Sequence, residues 1–125
     1  AVIVTSPQQV SVSDTRKSIE MFINPQTAVK VIGIVENMSW FTPEEHPDEK
    51  YFLFGEGGGN ILAGEYNLPL IAQIPLIVGV DRRSDNGVPA ILNRLPLMSD
   101  PFKDMVEKVA QRIAIANAQL VAENA

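Results

Sequence analysis

Two short apolar runs, separated by a stretch patterned as a helix, constrain this chain more than anything else in it. AVIVT at 1–5 and VKVIGIV at 29–35 are rich in β-branched residues, and only Lys30 interrupts them. Such runs read as strands buried on both faces. Between them Val12, Thr15, Ile19, Phe22 and Ile23 recur at helical spacing. Ser11 stands three residues ahead of Asp14, as in a capping box. Asn24-Pro25 ends this helix, because proline has no amide donor and restricts the residue before it. Strand, helix and strand in this order form a βαβ unit, so the strands are parallel and the crossover is right-handed. A third strand is expected over 70–74, closed by Pro75.

The remainder extends the same scheme. Residues 36–59 are irregular: Trp40 and Phe41, then the polar TPEEHPDEK, then YFLF. This predicts a loop inserted over 40–54, folded as two short strands around a polar tip. A short helix is expected over 59–66, carrying Ile61 and Leu62, with Asn67 as a left-handed cap. Another is expected over about 80–86, with Gly87 past its end and Pro89 after it. Asp100-Pro101 reads as the start of the last helix, with Asp100 as its N-cap. Phe102, Val106, Val109, Ile113, Ala116 and Leu120 form its apolar face. The fold class is α/β: the C-terminal part of a doubly wound, mostly parallel sheet with helices on both faces. The 125 residues suit one domain. The chain opens directly on a strand without methionine, and three strands leave an edge unpaired, so a fragment of a longer protein is expected.

Composition narrows the chemistry. There is no cysteine, which excludes disulfides and thiolate metal sites within this chain. The net charge is −5 with no Lys/Arg cluster, which argues against a nucleic-acid surface. No apolar stretch approaches the roughly 18 residues of a membrane span, and a cytoplasmic protein is the expectation. FGEGGGN at 54–60 invites a phosphate-loop reading. It lacks the Gly-Lys-Ser/Thr ending of a Walker loop, and Glu56 would repel a phosphate. A turn that opens a helix fits better, with anion capture by bare helix amides as the other use. EEHPDE at 44–49 carries carboxylates beside the single histidine, His46. Two prolines prevent a helical ligand register there, and a solvated loop tip is the expected state; no metal site and no catalytic residue is assigned. Glu36-Asn37-Met38 leaves the second strand at its carboxyl end, where ligands of open α/β sheets bind. Asn37 can offer a donor and an acceptor to a purine edge, or can simply make the turn at the strand end. Pro75 and Leu76 leave the third strand at the same edge, where backbone can lie against a flat base.

The order of these pieces resembles the C-terminal half of the Mrp/ApbC family. VTSPQ at 4–8, SDTRK at 13–17, GIVENMS at 33–39, FGEGGG at 54–59, LPLIAQIPL at 68–76 and SDNGVP at 84–89 carry the resemblance. These proteins are P-loop ATPases of the MinD/ParA-like group, regarded as iron–sulfur cluster carriers. The resemblance implies ATP and Mg²⁺ as ligands of the longer protein, with the Walker motif and Mg²⁺ carboxylates upstream, so this chain would not itself hydrolyse ATP. It implies that Asn37 contacts adenine and that Pro75 and Leu76 border the base. It implies a homodimer whose interface lies near 40–54, and apo-protein or scaffold partners, with no nucleic acid and no membrane. Two positions depart from the family. Ile77 replaces a common aspartate. The segment between Phe41 and Phe54 lacks the family's paired cysteines, so the sequence gives a cluster no support in the usual manner. A MinD/ParA-like positioning ATPase and a non-catalytic interaction module of the same fold are the competing readings.

Overall fold

The computed structural model describes residues 1–78 and 85–125. Its order is β1 (Val2–Thr5), α1 (Gln9–Ile23), β2 (Gly33–Phe41), α2 (Gly58–Tyr66), β3 (Leu70–Leu76), a 3-10 turn (Ala90–Leu92) and α3 (Pro96–Glu123). The three strands form one parallel sheet in the order β1-β2-β3. One face packs on α1 and α2 through Ile3, Val12, Ile19, Val31, Ile34 and Leu62. The other packs on α3, where Phe102, Met105 and Val109 meet Val35, Ile71, Ala72 and Ile74. The expected α/β class with helices on both faces is therefore present.

Several boundaries differ from expectation. β1 is not buried on both faces: Val4 is 59% exposed, because β1 is a sheet edge and only its Val2 reaches the cluster under α3. α1 starts at Gln9 with no side-chain cap. Instead of capping, the Ser11 hydroxyl accepts the Ser6 amide at 3.1 Å. Ile23 is exposed, while Phe22 packs on the core. β2 runs over Gly33–Phe41 rather than 29–35. Ala28 turns left-handed at φ 47° and the Val29 amide is held by the Phe22 carbonyl, so pairing begins later and follows β3 to Phe41. The expected hairpin reduces to the antiparallel bridge Phe41–Tyr51, with backbone bonds of 2.8 and 2.9 Å.

β3 continues through Pro75 to Leu76, which its place at an edge of the described sheet permits. α2 begins at Gly58 and closes, as expected, on a left-handed Asn67. The helix expected over 80–86 lies mostly outside the described residues. The last helix begins at Pro96, so Asp100 is not its cap and Pro101 falls inside it. Its first turn is set instead by the Asn93 side chain, which accepts the Leu95 amide at 2.9 Å, and by buried Met98 and Ser99. At 28 residues α3 is about 42 Å long, whereas β3 with 7 residues spans about 23 Å. The helix outruns the sheet, and Val106, Ile113 and Leu120 of the expected apolar face are exposed.

α2 meets the rest of the chain at very close range. A Cβ on Gly58 would lie 2.7 Å from the Pro7 carbonyl oxygen and 2.8 Å from Val12 Cγ2. Gly58→Ala should therefore destabilise the protein by about 1–3 kcal/mol, read as a lower urea midpoint. Farther along, Arg16 of α1 grips Glu65 of α2 with two hydrogen bonds of 2.8 and 2.9 Å. That hydrogen bond, more than the charge itself, holds the Glu65 carboxyl below the ordinary carboxylate range. Because the folded value is depressed, the contribution is present above the unfolded value and is lost as pH falls through the folded one. Both side chains are more than a third exposed, so the effect is small and salt-screened. The difference in melting temperature between wild type and Arg16→Gln should shrink steadily on acidification into that range.

Candidate functional site

The carboxyl ends of the three strands gather the chain's unusual residues. β3 carries Pro75 and Leu76 there and the turn after β1 carries Pro7, whereas Glu36, Asn37 and Met38, expected just past the second strand, lie within it at the level of Gln73 and Ile74, because β2 runs on to Phe41. Asn37 pairs in register with Ile74, and Phe41 with Leu76. β2 thus advances four residues where β3 advances two, and the strand must bulge between them. Met38 absorbs the bulge with a left-handed backbone at φ 55°. A non-glycine residue held there costs on the order of 1–3 kcal/mol and persists only when its surroundings impose it.

Those surroundings are built on Glu36. Its side chain is 1% exposed, although the sequence reading assigned it no role. One carboxylate oxygen accepts the Ser39 hydroxyl at 2.7 Å and the Gln73 amide at 3.2 Å. The other accepts the Gly59 backbone amide at 2.6 Å. The Ser39 hydroxyl also lies 3.0 Å from the Glu36 carbonyl oxygen. A buried carboxylate is tolerable only when its oxygens are satisfied in this way. Gly59 lies in the first turn of α2, so the carboxylate also meets the positive end of the helix dipole. A Cβ on Gly59 would lie 3.0 Å from both Cβ and Oε2 of Glu36. The glycine run is there for close approach, and the anion bound at the start of α2 is this chain's own Glu36. The only local signal was an acid following the apolar run GIV, and it does not name the partner, which lies 23 residues on.

Asn37, Pro75 and Leu76 are brought together at this edge, as the register shows. Asn37 is exposed, Pro75 is buried and Leu76 is 37% exposed. The Asn37 side-chain oxygen accepts the Met38 amide at 2.9 Å, so its amide nitrogen remains available to a ligand. This donor lies beside Ile74, its partner in the ladder, and the Pro75-Leu76 strand end. His46, by contrast, is a loop-tip residue: it is 61% exposed and 3.7 Å from Glu49. Among the described residues no three acidic, histidine or cysteine side chains gather into a metal-holding group, and no helix is long and apolar enough to cross a membrane. In the inserted loop, Lys50 lies 4.0 Å above the Trp40 ring and Tyr51 donates to Glu49 at 2.5 Å.

Comparison with known proteins assigns the kinship. Residues 1–114 match the family described as ParA: NUBPL iron-transfer P-loop NTPase. An iron-sulfur cluster carrier protein of Synechocystis is 48% identical over 94 residues, which is 75% of this chain and 26% of that protein. One from Methanocaldococcus jannaschii is 35% identical over 90% of this chain and 38% of its own length. The chain thus spans between a quarter and two fifths of these relatives. A nucleotide-binding protein in complex with ADP from Archaeoglobus fulgidus superimposes with a TM-score of 0.58 at 39% identity, over 70% of this chain and 35% of that one. The cell-division ATPase MinD of Pyrococcus furiosus gives 0.62 at 19% identity, over 89% of this chain and 42% of that one, a likeness of fold.

The buried carboxylate yields a stability test. Glu36→Ala leaves the Gly59 amide without its acceptor and should cost about 1–3 kcal/mol. Glu36→Gln should recover most of this, because an amide oxygen still accepts from Gly59 while Ser39 and Gln73 can turn to suit the new donor. Urea denaturation of the two variants side by side measures the difference.

Proposed function

The chain belongs to the NUBPL-type iron-transfer P-loop NTPases of the ParA group, and on that premise we propose that it forms the adenine-side portion of an ATP-binding carrier that delivers iron–sulfur clusters to apo-proteins. The single observation that supports this most directly is the juxtaposition of Asn37 with Ile74, Pro75 and Leu76 at the carboxyl edge of the sheet. In this reading Asn37 meets the edge of the base, while Pro75 and Leu76 border its face. The phosphate loop and Mg²⁺ carboxylates of the ATPase belong to parts of the carrier outside these residues. So do any thiolates that hold the cluster cargo, since this chain has no cysteine.

The carrier works in this reading as a cytoplasmic homodimer. Tyr51, Phe52 and Leu53 are all more than 40% exposed, and this gathering beside Trp40 and Phe41 supports a subunit contact at the inserted loop. Aromatic side chains of this kind are enriched in interface cores.

Asn37→Ala in the complete polypeptide tests the base site. It should weaken ADP binding by about 1–3 kcal/mol through a lost partner in a desolvated site, and should relax the preference for adenine over guanine. Titration calorimetry with ADP and GDP reads both. Equal loss for the two nucleotides would reduce Asn37 to a turn residue.

A further inference from the structure

We infer that Glu36 and Ser39 are positioning residues that lock the orientation of the Asn37 amide and thereby set base selectivity; this rests on the adenine-side reading above. The chain of contacts is short. Ser39 donates toward both the carboxylate and the carbonyl of Glu36, which closes residues 36–39 into a clamp. Gly59 and Gln73 hold the carboxylate from α2 and β3, so the clamp is fixed to the body of the protein. Inside it Met38 is forced left-handed, and this turns its backbone amide onto the Asn37 side chain at 2.9 Å.

A backbone N–H can only donate. The Asn37 atom facing Met38 must therefore be the oxygen, and the amide cannot flip without losing this bond. One oxygen lone pair and both amide hydrogens are left for a ligand, in one fixed arrangement. An adenine edge presents an exocyclic donor beside a ring-nitrogen acceptor and matches that arrangement with two hydrogen bonds. Guanine offers either two acceptors, O6 and N7, of which the amide can match only one, or O6 beside N1–H, the reverse order of adenine, which the amide meets fully only when flipped. An asparagine free to flip would discriminate less, because each orientation would satisfy part of either base.

The test compares Ser39→Ala, Glu36→Gln and Asn37→Ala in the complete polypeptide, with ADP, GDP and inorganic tripolyphosphate titrated against each. Ser39→Ala should reduce the ADP-to-GDP affinity ratio by about tenfold while tripolyphosphate binding stays the same, and Glu36→Gln should retain most of the ratio. If Asn37→Ala removes the preference while Ser39→Ala keeps the wild-type ratio, the positioning role is overturned and the base site stands. If Asn37→Ala keeps the wild-type ratio, the base-site reading itself fails and takes this inference with it. A second measurement needs neither nucleotide nor a folded Ser39 variant. Amide exchange at Met38 should be at least about tenfold slower in the wild type than in Asn37→Ala, and equal rates would overturn the fixed-amide geometry.

Discussion

The buried carboxylate of Glu36 is the interaction on which the described structure turns. Removing a charged group from water is unfavourable unless each oxygen regains its hydrogen bonds, and here the donors come from three different places. Ser39 lies three residues along the same strand, Gly59 lies in the first turn of the next helix and Gln73 belongs to the neighbouring strand. A single side chain therefore ties the middle of β2 to the start of α2 and to β3. It also explains why the chain is rich in glycine just there. Any side chain at 59 would meet Glu36, and one at 58 would meet the backbone of Pro7. The glycine run, the strand-end acid and the turn after β1 form one packed unit.

That unit fixes what the carboxyl edge can offer. With Glu36 turned inward, the next residue along the strand, Asn37, is exposed, and the bulge follows it directly, after its pairing with Ile74. The same strand then continues to Phe41 and into the inserted loop through the bridge to Tyr51. Asn37 and the aromatic foot of the inserted loop, Trp40 and Phe41, thus lie on one continuous strand. The remaining apolar surfaces are of another kind. Val4 on the β1 edge and the distal half of α3 are exposed because the described sheet is narrower and shorter than the helix laid across it.

That Asn37, Pro75 and Leu76 lie near one another was legible because they follow apolar runs of neighbouring strands; their roles were implied only by the resemblance. The part played by Glu36 was not legible. A lone acid in a strand normally faces water, and nothing local to GIVENM reveals that a helix start 23 residues later returns an amide to it. The Ser11 capping pattern misled for a related reason. Its hydroxyl was taken by the turn after β1, a partner outside the helix.

The sequence by itself determined the class of fold: apolar runs of strand length separated by a helical period admit little besides parallel strands with crossover helices. It also determined the absence of thiolate chemistry in this chain. Tertiary structure alone decided where each strand ends, which face of each helix is covered, and which way the Asn37 amide points. The physical reason is one of range. Periodicity and turn chemistry act within a few residues, whereas strand register and the satisfaction of a buried charge depend on partners brought together only when the sheet has closed.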